Sequence, residues 1–589
     1  MNTEESPDID LSEASFTATL KNRSGIIPEN EYLLLSLDIR KEVNRIPKAI
    51  LVFLKRGTDT KEDRISKKPY FLPGQQIEVM LNYDTKGEEG ENQTVFKGVV
   101  IKNSMSVKLR RSKFTVELRD VAVGLTRPRK SAVFADQSSD NDIFAKIIAE
   151  AEPKIKGLSY EKNDDKKMHD QVVQHYCSDW DFIVSRAEAR GRLVVVNDGE
   201  LSVREVTLNP NKEENKHELT VGKNAIYDLE FSVNLGQLGI NADENKSHAW
   251  DFNMQQLKSI KAKDFKLEQK PYQDQQLENP MGFRPDQLSS FAPLEENELQ
   301  EWVNGRLMRC RLAVIRGRME VLGSAKYKLL DVVKIDGLGE RYDGTAVITG
   351  ICHRADINGW NTDLQFGLSA RPFSQEPDIL DAPAAGLLPG VNGLHIGVVD
   401  KFDEKSKKSF QVKVKLPGLA GSDEKKESSV WARLAVPDAG NDRGWFFYPE
   451  QGDEVVVGFF NDDPRQPVIL GSLYSKKNKP REAFSGISEE NKTKVIVSKT
   501  GSAIGFIDDK KGSSVFIETA TGPKVLIDDS EKTLEIMDPH GNKITMNKEG
   551  IHLKTKKDFK LQASGDVTIE GKSVTIKGGK VDINPRVVN

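Results

Sequence analysis

Cysteine is scarce in this chain: Cys177, Cys310 and Cys352 are all that 589 residues contain. They form no CxxC pair and no even framework, which excludes a disulfide-stapled scaffold and points to a reducing compartment, with the three expected as ordinary buried thiols. The eight histidines are scattered without HExxH or HxxEH spacing, so no metal centre and no cofactor are expected. The glycine pair Gly578-Gly579 is not followed by GKS or GKT, so a phosphate loop is absent. No apolar run reaches the roughly 18 residues of an ordinary transmembrane helix. Met1 to Pro7 shows neither a basic nor an apolar region, so signal-peptide export is not indicated and the chain is expected to be made in the cytoplasm. Charge of one sign is lacking too. Lys plus Arg number 86 against 90 Asp plus Glu, a formal net charge of -4 with no long basic stripe, which argues against a nucleic-acid partner.

What is present is β pattern. The length suggests about three to five domains at roughly 100–200 residues each. Residues 1–125 read as an antiparallel β-barrel, with alternating runs Tyr32–Ile39, Ala49–Leu54, Ile77–Leu81, Val95–Ile101 and Phe114–Leu118 between Gly, Pro and charged turns. Residues 126–235 read as an α/β insertion, with helices expected around Asp142–Ile148 and over Asp170–Arg190. Residues 236–380 hold a weak polar stretch, Asn245–Leu294, then a helix from Glu295 to Leu307. A second β-barrel follows, whose runs Leu330–Ile335, Ala346–Ile351 and Trp360–Phe366 echo Pro73–Val79, Phe96–Val100 and Phe114–Leu118 and suggest an internal duplication. Asp381 to Gly390 is a Pro/Gly-punctuated linker. Residues 381–480 carry five short strand signals, His395–Asp400, Phe410–Leu416, Ser429–Leu434, Asp453–Phe460 and Val468–Leu473, which suit an oligomer-binding-type (OB) barrel.

Residues 481–589 are the most informative. Apolar-x-apolar triplets recur with flanking pairs Val515 and Ile517, Val525 and Ile527, Leu534 and Ile536, Ile544 and Met546, Ile551 and Leu553, Phe559 and Leu561, Val567 and Ile569, Val574 and Ile576, and Val581 and Ile583. Their period shrinks from about 10 residues to about 7. Side chains alternate along a strand, so the flanking residues share one face, while the middle ones, largely Thr, Lys, Glu and Asp, take the other. A single-chain β-helix needs about 18 residues per coil, more than one repeat supplies. Three chains, each giving one face per level, close the prism and remove its edges. The expectation is an intertwined homotrimeric needle that tapers toward its C-terminus and folds as it trimerises.

Two stretches carry a family resemblance. One is Asp179-Trp180-Asp181-Phe182-Ile183-Val184-Ser185-Arg186. The other runs from Gly444-Trp445-Phe446-Phe447-Tyr448-Pro449-Glu450-Gln451-Gly452-Asp453-Glu454-Val455-Val456-Val457-Gly458-Phe459 into Asp463-Pro464-Arg465-Gln466-Pro467-Val468-Ile469-Leu470-Gly471-Ser472-Leu473-Tyr474. With the C-terminal repeats, the chain resembles the VgrG family of type VI secretion spikes and their relatives in contractile-tailed phages and extracellular injection particles. The resemblance implies a mainly β protein: a hub of two antiparallel β-barrels with a small α/β insertion, an OB-fold barrel, and a C-terminal triple-stranded intertwined β-helix. It also implies a function, adapting a hexameric, Hcp-like tube and baseplate proteins to a trimeric membrane-puncturing needle. Two similar barrels per chain would turn threefold into approximate sixfold symmetry. A PAAR-type cap would sit on Ile583, Asn584, Pro585, Arg586, Val587, Val588 and Asn589. The spike would assemble in the cytoplasm and then be ejected by contraction, touching the target membrane transiently. Ser475 to Thr493 and the residues after the last repeat are too short for a catalytic domain, so effector cargo is expected on separate chains.

Enzymatic readings are weaker. Asp462-Asp463 is a carboxylate pair, but adjacent residues in an Asp-Asp-Pro turn do not face each other across a cleft. His175 and Cys177 lie two apart on the expected helix, on different faces, and are read as a buried structural pair. His552 sits between Ile551 and Leu553 and so points away from a trimer axis. The alternatives are a trimeric polysaccharide-degrading tailspike, which needs carboxylate-bearing loops, and a trimeric adhesin, which needs a terminal head; neither feature is present in the repeats.

Overall fold

The computed structural model describes residues 15–583 apart from 30–31, 56–67, 85–91, 109–111, 162–168, 208–214, 223–227, 234–243, 264–283, 285–286, 340–342, 403–409, 421–427 and 485–487. The chain forms two compact units, Met1–Asp381 and Ala382–Asn589.

In the first unit, both β-rich segments build antiparallel meanders. Gln76–Asp84, Gln93–Ser106 and Ser112–Arg119 make one, and Val332–Asp336, Gly344–Asp356 and Gly359–Phe366 the other. In each, the middle strand is long, 14 and 13 residues, and pairs on both sides. The two halves meet edge to edge, with Gly344–Asp356 antiparallel to Leu34–Glu42 in a register running from Gly350 opposite Glu42 to Asp356 opposite Ser36. One 13-stranded sheet results. Alternation gives each half its own core: Leu37, Ile39, Leu51, Phe53, Val79 and Leu118 in the first, Met319, Val321, Val333, Ile348 and Leu364 in the second.

The insertion packs the helices Asp140–Glu150 and Asp179–Ala189 against the hairpin Arg192–Asn197 and Glu200–Glu205. Both helices start on serine caps. Ser139 forms a capping box with Asp142, and the Ser178 hydroxyl accepts from the Asp181 N–H. The stretch from Asp179 to Arg186 buries Trp180, Phe182, Ile183 and Val184, while Arg186 bridges Asp140 and Glu298 at 3.1 Å each.

The helix expected over Asp170–Arg190 is corrected in its first half. His169–Cys177 is a strand paired with Lys130–Ser138, and the helix begins only after the Ser178 cap. His175 is exposed and Cys177 half-buried, so they are not a buried pair. Of the three free cysteines only Cys310 is buried; Cys352, also half-buried, has its thiol pushed up to about 11, mainly by burial and then by Asp38. The polar stretch around Asn245–Leu294 contains a hairpin, Lys246–Asp251 with Gln256–Lys261, joined by Leu288–Ser290. The helix after it runs Glu296–Leu312, five residues further than the sequence suggests. Among the described residues no helix is long and apolar enough to cross a membrane.

In the second unit, His395–Phe402, Val412–Lys415, Ser429–Leu434, Glu454–Phe459 and Pro467–Ser472 close into a five-stranded barrel. The third and fifth strands run parallel and all other neighbours antiparallel, the OB arrangement. Val399, Val412, Val414, Ala432, Val455, Val457 and Ile469 fill it. A seven-stranded sheet follows.

Candidate trimerisation surface

The seven strands Thr493–Val497, Ala503–Asp509, Gly512–Glu518, Lys524–Asp528, Thr533–Met537, Lys543–Asn547 and Gly550–Lys554 form an open antiparallel meander. Side-chain hydrogen bonds fix its turns. Asp528 accepts from the Ser530 hydroxyl and the Glu531 N–H, and Asn547 accepts from the Glu549 N–H. Asp538 accepts from the N–H groups of Asn542 and His540, and this donation, Asn542 first, holds its carboxyl below the usual range.

These turns set a register that places the triplets directly opposite one another. Ile504 faces Ile517, then Val525, Ile536, Ile544 and Leu553 follow strand by strand. A second column runs Phe506, Val515, Ile527, Leu534, Met546 and Ile551. Both columns lie on one face. Cross-strand apolar pairs of this kind stabilise a sheet, yet the columns stay partly open to solvent: Ile517 and Ile527 are each 50% exposed and Ile551 is 66% exposed. Full burial of one such side chain contributes about 1.5–3 kcal/mol.

The first two strands, carrying Ile496, Ile504 and Phe506, extend the ladder beyond the repeats recognised in the sequence. The opposite face also differs from expectation at its base, where middle positions are apolar. Phe516 is 3% exposed and stacks on Phe484 from the preceding turn, and Leu526 sits on the next strand across from it. Gly505 makes this possible, since a Cβ there would lie 2.6 Å from the Phe516 ring. Further along, the same face carries Glu535, Thr545 and exposed His552.

From Thr555 to Ile583 the chain forms no strand with itself, and Phe559, Leu561, Val567, Ile569, Val574, Ile576, Val581 and Ile583 are all exposed. Of the proposed cap platform, Ile583 is described; Asn584, Pro585, Arg586, Val587, Val588 and Asn589 lie outside the described residues.

The Arg465 guanidinium donates to both oxygens of Asp463, at 2.9 and 2.6 Å, and this lowers the Asp463 pKa. Asn461 and Asp462 have φ of 52° and 55°, turn conformations in which the neighbouring carboxylates serve the bend. Among the described residues no group of three or more His, Cys, Asp or Glu could hold a metal.

Three family models match in succession. They are the Alg8 N-terminal domain over residues 14–356, more than half of the chain; the type VI secretion system/phage-baseplate injector OB domain over 395–474; and the phage baseplate V C-terminal trimerisation domain over 514–588. With two joined β meanders in the first unit, an OB barrel and an unclosed apolar ladder, they define the class, a spike hub of the type VI secretion and phage-tail kind. The chain belongs to the VgrG family, and its N-terminal part to the Alg8 N-terminal domain family. Relatives include the type VI secretion system spike protein VgrG3 of Vibrio cholerae, 34% identical over 128 residues, 22% of this chain. The actin cross-linking toxin VgrG1 of the same species is 29% identical over 177 residues, 30% of this chain. The matched segments span 11% and 15% of those relatives' own lengths. Among solved structures, a Francisella PdpA-VgrG complex aligns over 93% of this chain and 81% of that chain, at 10% identity and a TM-score of 0.41.

Proposed function

We propose that three copies of this chain close their ladders against one another to form the needle of a contractile injection apparatus, with the first unit as the hub that adapts a hexameric, Hcp-like tube and baseplate proteins to threefold symmetry. The observation that carries this reading is the double apolar column, continued past Lys554 by exposed triplets that find no strand partner among the described residues. Backbone N–H and C=O groups in a buried needle must be paired, and those of the last four triplets find no strand partner among the described residues, which supports pairing by other chains. The side chains named above from Val515 to Ile583 are then the needle core. Ile583 to Asn589 form the platform for a PAAR-type cap.

In this reading the chain is structural and not an enzyme, binds no cofactor, carries effectors as separate chains, and leaves the cytoplasm by contraction to puncture a target membrane. The division of the chain at 125, 235, 380 and 480 follows the same roles. Deleting Val515–Asn589 tests it: assembly of injection-competent particles should be lost while the hub stays soluble, and unchanged assembly would overturn it.

A further inference from the structure

Between the third and fourth strands of the OB barrel the chain makes a short hairpin, Ala439–Gly440 with Arg443–Gly444, and then an extended aromatic strip, Trp445-Phe446-Phe447-Tyr448. The strip is pinned at both ends. The Trp445 N–H donates to the Asp438 carbonyl at 2.9 Å, and the Glu450 N–H donates to the Asp453 carboxylate at 2.8 Å. Alternation splits its rings into two pairs, Trp445 with Phe447 at 5.6 Å and Phe446 with Tyr448 at 5.0 Å. Tyr448 packs on the barrel core, while the other three rings are exposed. Trp445 is 46% exposed, Phe447 58% and Phe446 78%. A fixed strip of three large exposed aromatics is the composition of an interface core, not of a solvated loop.

The position of the strip says what covers it. Glu450, two residues past Tyr448, forms a 2.6 Å ion pair with Lys499 in the first turn of the needle meander. The chain leaving the strip is thus tied to the first turn of the meander, whose strands carry the exposed Ile496, Ile504 and Phe506. We infer that Trp445, Phe446 and Phe447 are a collar of the trimer interface, packing against the OB barrel of a second copy of this chain. This rests on the trimeric reading and extends it: the contact between copies begins at the barrel, ahead of the first needle strand. A rigid aromatic collar would hold the three barrels in one orientation as the needle winds.

Hydroxyl-radical footprinting resolved by residue tests it, with the full chain compared with the full chain carrying Ile569→Asp, and the mass of each measured by light scattering. Oxidation of Trp445, Phe446 and Phe447 should fall several-fold in the trimer relative to the monomeric variant. A trimer in which all three are equally reactive overturns the collar and leaves the spike reading standing; protection in both forms overturns it as well, because the chain then covers the strip itself. Absence of a trimer in the parent removes both. As a second arm, Trp445→Ser with Phe447→Ser should lower the denaturation midpoint of the trimer and leave that of the Ile569→Asp chain unchanged. Equal losses in the two backgrounds would contradict the collar.

Discussion

Phe484 and Phe516 stack with ring centroids 5.7 Å apart and planes 19° apart, on the side of the needle sheet away from the ladder. The Arg481 guanidinium lies 5.3 Å over the Phe484 ring and donates to Glu518 at 2.9 Å, tying the connecting turn to the strand that carries Phe516. One face of the sheet is thus covered at its base by the same chain, and the other carries the exposed ladder. Phe516→Ala should empty the space under Phe484 and lower the opening free energy of the strand Gly512–Glu518 by about 3 kcal/mol. Amide hydrogen exchange reads this directly; protection unchanged by the substitution would mean the stack carries no load.

Ile569 is 69% exposed in one chain. In the proposed needle three copies meet at one buried level, so Ile569→Asp brings three unpaired carboxylates together and should abolish trimerisation. Ile569→Val should retain it. A trimer that tolerates the aspartate at neutral pH would place this residue outside the core.

In the hub, Gly305 crosses Gly191 so closely that a Cβ on Gly305 would lie 2.6 Å from the Gly191 Cα. Gly305→Ala gains about 1 kcal/mol in helix propensity. The backbone it meets cannot move aside cheaply, so a net loss of about 1–3 kcal/mol is expected in chemical denaturation. A stabilised variant would show that the crossing has room.

His353 is 3% exposed, with Nδ1 3.0 Å from the Thr362 hydroxyl; burial, and secondarily the Lys41 ammonium, lowers its pKa from 6.5 to about 3. The folded hub therefore keeps this imidazole neutral while the unfolded chain protonates it below pH 6.5. The stabilisation is complete above that pH and is lost as pH falls toward the folded value, at about 1.4 kcal/mol per pH unit. Between pH 6.5 and 5, before most carboxylates titrate, the loss should be about 2 kcal/mol. His353→Gln should remove that slope, and parallel pH profiles for parent and variant would contradict the assignment.

Much of this architecture is legible in the sequence where one face of a strand is buried. The OB strand Ser429–Leu434 is read to the residue, the helix at Asp140–Glu150 is found from its apolar spacing, and that at Glu296–Leu312 is found but ended five residues short. The misreadings have physical causes. Val173, Tyr176 and Trp180 fall at helical spacing, but Val172 and Val173 belong to a strand whose partner, Lys130–Ser138, is distant in the chain. The hairpin at Lys246–Lys261 lacks alternation because its cross-strand pair Trp250 and Leu257 is exposed. The first strand of the meander escapes notice because Lys494 takes the ladder position opposite Phe506, whereas Ile504 and Phe506 on the second fit the triplet pattern and are simply missed. The ladder itself is the opposite case, since its register follows from repeat length alone.

The mass of the purified full-length chain in solution, measured by light scattering, tests the central claim most directly. One chain is 65.8 kDa. A species of about 200 kDa is expected, three chains with their ladders closed on one another. A stable species of one-chain mass that keeps Ile517, Ile527 and Ile569 in solvent would contradict the account.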